Sequence, residues 1–170
     1  MSTPIVPDLL GPGLRLVFCG SAPSRISAQR QAYYANPGNK FWGTLHAIGL
    51  TDSLWAATEY RRLLALGIGL TDLNKRDIGI DSELSEAGFD IPAFKERMRT
   101  HRPRTIAFTS KFTASRFFGR GTGAIEYGRQ DERFEGMALF VLPSTSGLAT
   151  KYFQVAHWRA LALAIGDPGP

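Results

Sequence analysis

A single carboxylate, Asp72, stands where chemistry would be expected in this chain. It lies near the end of the apolar run Gly67–Leu73, GIGLTDL, and the basic residues Lys75 and Arg76 follow it. A carboxylate at the end of a strand can orient a nucleophilic water or stabilise a developing positive charge. It can equally form an ion pair with Lys75 or Arg76. The residues alone leave both interpretations open.

The stretch Gly20–Trp42, GSAPSRISAQRQAYYANPGNKFW, combines loop-forming residues with four aromatic rings. Tyr33 and Tyr34 are adjacent, so in an extended segment their side chains point in opposite directions. One ring can therefore pack in the core while the other lines a crevice. We expect Phe41 and Trp42 to belong to the core.

Two further positions combine a structural and a functional interpretation. Asn39 precedes a helical pattern, where it can cap the helix or present its amide to a base edge or a water. In PSTSGLATK, Pro143–Lys151, the apolar Leu148 stands among small hydroxyl residues. The segment can be a simple turn, or Leu148 can be a wedge that enters a base stack.

The elements that must position these residues follow from periodicity. Short apolar runs predict buried strands, and apolar residues at helical spacing predict helices. The predicted strands are Leu14–Cys19, Gly67–Leu73, Arg104–Thr109 and Met137–Leu142. The predicted helices are Phe41–Ile48, Leu54–Leu66, Asp90–His101, Lys111–Phe118 and Lys151–Ile165. We expect loops over Asn74–Gly88 and Gly119–Glu135, the second with a possible edge strand.

Alternating helices and fully apolar strands predict an α/β fold with three α/β/α layers and a central, mostly parallel, four-stranded sheet. Ligands of such sheets bind beyond the carboxyl ends of the strands. There the segment Gly20–Ser27 offers small residues and backbone N–H groups, either for an anion or simply as a strand-to-helix turn. It matches neither the P-loop nor the GxGxxG pattern.

Composition narrows the class of protein. The 170 residues are 44% hydrophobic, which suits one domain over residues 1–170, with residues 1–12 and 166–170 expected to be loose. One cysteine and three scattered histidines argue against a metal or an iron–sulfur cluster, and we expect no cofactor. No apolar run is long enough to span a membrane. The net charge of +5 suits a polyanionic partner, and we expect a cytoplasmic monomer.

Taken together, these stretches resemble the uracil-DNA glycosylase superfamily, most of all its mismatch-specific uracil/thymine branch. The matching segments are FCGSAPS (Phe18–Ser24), YYANPGNKFW (Tyr33–Trp42) and LPSTSGL (Leu142–Leu148). Their order and spacing also match, over about Leu14 to Ala164. The GSAP and PSTS segments are in addition similar to a branch that acts on deaminated purines.

The resemblance implies an enzyme that flips a base out of DNA and hydrolyses its N-glycosidic bond. It makes Tyr34 the aromatic ring on which the flipped base stacks, and it places Leu148 in the loop that fills the vacated stack. The mismatch-specific branch holds the catalytic water with an asparagine, and Ala22 stands at that position here. Asp72 or Asn39 would then take over this role.

The resulting hypothesis is a monofunctional glycosylase that removes uracil opposite guanine, with uracil in single strands left open as a further substrate. The alternatives are a hypoxanthine glycosylase of the same fold and a non-catalytic reader of damaged DNA. Catalysis is assigned to Asp72 and Asn39. Base binding is assigned to Ser21, Ala22, Tyr34, Ser144 and Thr145. Contacts with the DNA are assigned to Ser24, Arg25, Lys75, Arg76, Lys111, Ser146, Gly147, Leu148 and Lys151.

Overall fold

The computed structural model describes residues 5–166 and contains a five-stranded sheet in the order β2-β1-β3-β5-β4. The strands are β1 (Leu16–Gly20), β2 (Ile68–Asp72), β3 (Thr105–Phe108), β4 (Gly128–Phe134) and β5 (Met137–Val141). Pairs β1–β2, β1–β3 and β3–β5 are parallel, and β4 is antiparallel to β5. The α/β class is confirmed, and the predicted four-stranded sheet gains a fifth strand.

Each parallel strand is buried along its whole length, as its apolar sequence requires. Side chains on β1 alternate between two cores: Leu16 and Phe18 enter one, and Val17 and Cys19 enter the other. The edge strand β4 instead alternates between half-buried and exposed positions. Its charged sequence GRQDERF, which hides the strand from an apolar pattern, is what an exposed sheet edge favours.

Helices cover both faces of the sheet. The α-helices are α1 (Arg25–Arg30), α2 (Phe41–Ala47), α3 (Ile91–His101), α4 (Lys111–Phe118) and α5 (Val155–Ile165). One face packs against α2, α5 and the 3₁₀ segment Ala57–Leu66, and the other packs against α3 and α4. The predicted three-layer arrangement is therefore present. Helix α1 was not among the predicted elements.

Two predicted elements differ from the structure. Residues Lys151–Ile165 do not form one helix, because Gly147–Tyr152 is a 3₁₀ turn and α5 begins only at Val155. Between them Gln154 is extended and Phe153 packs against the core, which ends the first turn. The predicted loop at Asn74–Gly88 contains the 3₁₀ turns Asp81–Glu83 and Glu86–Gly88.

Residues 5–12 pack onto the domain. Val6 is 1% exposed, and Leu9 forms a bridge with Leu70 of β2. The expectation that residues 1–12 are loose therefore does not hold for residues 5–12, while residues 1–4 and 167–170 lie outside the described part of the chain. Packing of this segment brings Asp8 to the edge of the sheet, where it meets the functional site.

Candidate functional site

A cavity of about 510 Å³ lies at the carboxyl edge of the sheet. Its lining includes the last residues of β1 and β2 and the residues that follow β3 and β5, because all four parallel strands end at this edge. The loop between β1 and α2 adds its aromatic and amide side chains to the same wall. The residues assigned to the site that line this cavity are Ser21, Ala22, Ser24, Tyr34, Asn39, Asp72, Ser144, Thr145, Ser146, Gly147 and Leu148.

The wall after β1 is a loop held from both ends. Ser24 does not face an anion as a free hydroxyl: its Oγ accepts the Ser27 N–H at 3.1 Å and caps α1. The Ser21 hydroxyl donates to Asp81 Oδ1 at 2.7 Å across the cavity rim. Pro23 accepts the Gly79 N–H at 3.0 Å. These bonds join the loop after β1 to the loop after β2.

Tyr33 and Tyr34 divide between core and cavity as the sequence predicted. Tyr33 is 4% exposed, and its hydroxyl donates to the Pro7 carbonyl at 3.1 Å. Tyr34 is half-buried, lines the cavity and has a φ of 54°. This left-handed backbone costs a residue with a side chain about 1–2 kcal/mol. The strain turns the Tyr34 ring away from the core position that Tyr33 occupies.

The Tyr34 ring is fixed at both of its ends. Its plane stacks on Phe41, with a centroid distance of 3.9 Å and an interplanar angle of 18°. Its hydroxyl donates to Thr109 Oγ1 at 3.3 Å. Burial, with the charge of Asp72, raises the pKa of this phenol above its ordinary value, so the hydroxyl stays protonated at neutral pH. Phe41 covers one face of the ring.

Asp72 is the buried carboxylate of the cavity. It is 4% exposed, and its Oδ2 atom has no hydrogen-bond partner in the described part of the chain. The Lys75 ammonium lies 3.9 Å from Oδ2, which is an ion-pair distance but too long for a hydrogen bond. Burial raises the pKa of Asp72 to about 6, against the opposing effect of Lys75. Asp72 therefore fits both the functional and the ion-pair interpretation, because it lines the cavity and also lies 3.9 Å from the Lys75 ammonium.

Asp8, Lys75 and Arg97 form a charge network next to Asp72. Asp8 binds the Lys75 ammonium at 2.9 Å and the Arg97 Nε at 3.0 Å. Arg97 also donates to the backbone carbonyl of Asp72 at 2.9 Å, and Thr71 donates to Asp8 at 2.8 Å. The network fixes the backbone of Asp72 while Asp8 takes most of the Lys75 charge, so the Asp72 carboxylate is held without being fully neutralised.

Asn39, in the loop between β1 and α2, is half-buried and also lines the cavity. Its Oδ1 accepts the Phe41 N–H at 2.9 Å, although Lys40 occupies the N-cap position of α2. The predicted capping role is therefore displaced by one residue. This bond orients the amide and leaves its NH₂ group without a protein acceptor among residues 5–166.

The loop after β5 is a series of hydroxyl-capped turns. Ser144 Oγ accepts the Ser146 N–H, and Ser146 Oγ accepts the Leu148 N–H, both at 3.2 Å. Thr145 is buried, and its carbonyl accepts the Lys40 N–H at 2.9 Å. Leu148 is 77% exposed at the cavity rim. An apolar side chain is thus held out into solvent by a rigid turn.

The basic residues assigned to DNA contact fall into two groups. Arg25 pairs with Glu83 at 2.8 Å, and Lys75 is only 15% exposed and pairs with Asp8. The Arg25 side chain is 71% exposed, so its surface ion pair leaves it accessible to a phosphate, whereas the burial and pairing of Lys75 argue against that role. Lys111, Lys151 and Arg76 form no ion pair in the described part of the chain.

Some residues of the site could not be assigned from the sequence. Thr109 anchors the Tyr34 hydroxyl, and Asp81 anchors Ser21. Asp8 lies in a segment predicted to be loose, and only its packing brings it to Asp72. Thr109 is the last residue of the predicted strand Arg104–Thr109, so its place at a strand end was the one available signal.

The part of the chain that the structure describes contains no cluster of three or more histidine, cysteine, aspartate or glutamate side chains that could hold a metal ion. None of its helices is long and apolar enough to cross a membrane. The chemistry available at the cavity therefore rests on a buried carboxylate, an amide, a stacked tyrosine and backbone donors.

A three-layer fold with a cavity at the carboxyl ends of its parallel strands defines a class of α/β protein that binds ligands at this edge. The sequence pattern of the Uracil DNA glycosylase superfamily matches residues 7–162, and the chain belongs to this superfamily. Among solved structures, it is similar to the solution NMR structure of a "putative Uracil DNA glycosylase" from Methanosarcina acetivorans. The two share 24% identity over 94% of this chain and 96% of the other, with a TM-score of 0.65. That similarity supports the fold.

Proposed function

We propose that the protein is a monofunctional DNA glycosylase that hydrolyses the N-glycosidic bond of uracil flipped out of DNA. The observation behind this proposal is the buried Asp72 carboxylate, with one unpartnered oxygen, on a cavity that Tyr34 also lines. A flat base would stack on the face of Tyr34 that Phe41 does not cover. Its sugar would then lie towards the Asp72 side.

Asp72 would orient and deprotonate the water that attacks C1′. The water oxygen bonds to C1′ as the C1′–N bond breaks, and the bonding electrons leave with the base. The sugar passes through an oxocarbenium-like state, which the negative charge of Asp72 stabilises. The water proton moves to Asp72, whose pKa near 6 suits a general base at neutral pH. The product is an abasic site.

The leaving base would be stabilised by donors from the loop between β1 and α2 and from the loop after β5. The Oδ1 atom of Asn39 accepts a hydrogen bond from the Phe41 N–H, so its NH₂ group would be available to donate to the base. The backbone N–H of Ala22, in the loop after β1, would be a second donor. The Thr145 residue completes this side of the cavity. Donors of this kind, held in place before the reaction, lower the energy of a developing anion.

Hypoxanthine is the second candidate base. Gly20, Ser21 and Ala22 present small side chains to a cavity of about 510 Å³, which leaves room for the second ring of a purine. The same carboxylate and amide would serve either leaving group. A non-catalytic reader of damaged DNA is less favoured, since binding alone gives no reason to bury an incompletely paired carboxylate.

The deciding experiment is a cleavage assay on labelled duplexes and single strands that carry one uracil, hypoxanthine, xanthine or mismatched thymine. Alkali then breaks the strand at abasic sites. We expect cleavage at uracil by the wild type and at least 100-fold slower cleavage by Asp72→Asn. Asp131→Asn, a change on the exposed strand β4, is the control. Binding without cleavage of any base would overturn the catalytic proposal.

A further inference from the structure

Three aromatic rings and a lysine form a cluster beside the cavity, outside its lining. The Lys111 ammonium lies 4.4 Å from the centre of the Tyr127 ring, and the Tyr127 and His157 rings lie 5.2 Å apart. Tyr152 is 59% exposed, and the Lys151 ammonium lies 5.1 Å from the centre of its ring. Burial, and then the neighbouring Tyr152 phenol, raises the pKa of Tyr127 above its ordinary value. We call Tyr127, Tyr152, His157 and Lys111 the aromatic platform.

The chain places this platform directly at the cavity rim. Lys111 begins α4 and follows Ser110, which lines the cavity. Tyr152 ends the 3₁₀ turn Gly147–Tyr152, whose Leu148 projects at the rim. The platform and the exposed leucine are therefore parts of one continuous surface on the β3 and β5 side of the cavity.

Charge distinguishes this side of the cavity from the opposite one. Lys111 and Lys151 have no acidic partner within residues 5–166. The opposite rim carries Asp81, and its Arg25 is already paired with Glu83. A polyanion that crosses the cavity would be attracted more strongly to the platform side, where Lys111 and Lys151 form no ion pair, than to the Asp81 side, where Arg76 is the unpaired cation among the described residues.

We propose that the aromatic platform is a second nucleic-acid contact, on which an unpaired base next to the flipped nucleotide stacks while Lys111 and Lys151 bind its phosphates. A single-strand binding surface combines aromatic rings with cations, and here the exposed Tyr152 lies with the half-buried Tyr127 and His157 beside Lys111 and Lys151. The inference rests on the proposed DNA partner but not on base excision. It assigns functions to Tyr127, Tyr152 and His157, which the catalytic scheme does not use.

The test measures binding of a labelled single-stranded oligonucleotide without any damaged base, by fluorescence anisotropy. Tyr152→Ala removes the exposed ring, Tyr152→Phe keeps it, and Leu54→Ala, a 67% exposed apolar residue that does not line the cavity, is the control. We expect Tyr152→Ala to weaken binding about 5- to 100-fold, the effect of one lost stacking contact. Tyr152→Phe and Leu54→Ala should bind like the wild type.

Two outcomes would overturn the inference. Tyr152→Ala could bind as tightly as Leu54→Ala, or Tyr152→Phe could lose as much affinity as Tyr152→Ala, which would leave the ring without a role. If only binding to damaged duplex changes, the ring contacts the opposite strand and the assignment to an unpaired neighbour is wrong. If the wild type cleaves no base, only the excision proposal is overturned, because the binding measurement does not depend on cleavage.

Discussion

At the scale of single residues, Asp72 couples stability to function. Its pKa in the folded protein is about 6, above its ordinary value of 3.8, because burial disfavours the charged form. The folded state therefore holds the proton more tightly than the unfolded state does. The stability that this group contributes is complete below about pH 3.8 and is lost as the pH rises through about 6.

The first prediction concerns this residue. Asp72→Asn should raise the free energy of unfolding at pH 7.5, by up to about 3 kcal/mol, since the buried charge is removed. The gain should shrink towards zero near pH 4, where the wild-type carboxyl is neutral. Urea unfolding at the two pH values measures it, with Asp131→Asn as control. An equal gain at both pH values would show that burial of the charge is not the cause.

The pH profile of cleavage gives the second prediction. If ionised Asp72 is the base, single-turnover cleavage by the wild type should fall tenfold per pH unit below about pH 6. Any residual activity of Asp72→Asn should lack this acidic limb. A wild-type rate that stays flat from pH 7.5 to 5 would remove Asp72 from the role of general base.

Gly20 provides the third prediction, because a single methyl group there tests the packing of the site. A Cβ at Gly20 would lie 2.8 Å from Asp72 Oδ1 and 3.2 Å from the Tyr34 hydroxyl. Gly20→Ala should therefore displace the carboxylate and slow cleavage at least tenfold. Gly43→Ala, at a position in α2 with open space around it, should cleave normally. Equal activity of both variants would mean that the carboxylate position does not matter.

At the scale of elements, the segment after β5 separates two roles that one predicted helix would have merged. The 3₁₀ turn Gly147–Tyr152 presents Leu148 and Tyr152 to solvent, and α5 begins only at Val155 and buries Trp158. The break at Phe153 and Gln154 allows these faces to point differently. An uninterrupted helix would have fixed Leu148 on the same axis as the core residues.

The fourth prediction follows from this turn. Leu148→Ala should slow cleavage of uracil in duplex DNA about tenfold or more and leave single-strand cleavage within twofold, because only the duplex needs its stack filled. Leu163→Ala, on α5 and 84% exposed, is the matched control. Equal losses on single and double strands would show that Leu148 does not act as a wedge.

At the scale of the whole molecule, the net charge of +5 is distributed unevenly around the cavity. Ion pairs neutralise Arg25 and Lys75, while Lys111 and Lys151 remain available on the platform side. Folding thus selects which of the basic residues in the sequence can meet a phosphate. Under the proposed function, the overall charge would attract DNA, and the unpaired basic residues would guide its path.

The fifth prediction tests this distribution through salt. DNA affinity of the wild type should fall linearly with the logarithm of salt concentration, and Lys151→Ala should reduce the slope by about 1. Arg61→Ala, an exposed cation on the Ala57–Leu66 segment that does not line the cavity, should leave the slope unchanged. The same slope for Lys151→Ala and the wild type would place the DNA elsewhere.

The sequence by itself determined the layers, the buried strands and the edge of the sheet at which the site lies. These follow from apolar periodicity, which is local along the chain and places Asp72 at the end of a strand. The roles of Tyr34 and Leu148 followed instead from the resemblance to the uracil-DNA glycosylase superfamily. Strand β4 falls in Gly119–Glu135, where an edge strand was expected without bounds because its sequence is charged, and helix α1 was not predicted because it is short and has few apolar residues.

Which basic side chains remain unpaired could be seen only in the folded protein. Lys75 and Lys151 are the same residue type beside equally plausible loops, yet one is paired with Asp8 and the other is exposed. Asp8 reaches Lys75 from 67 positions away, through packing of a segment that reads as a loose end. Ion pairs and buried carboxylates depend on contacts between distant segments and on desolvation. Neither long-range contacts nor desolvation produces a periodic pattern in the sequence.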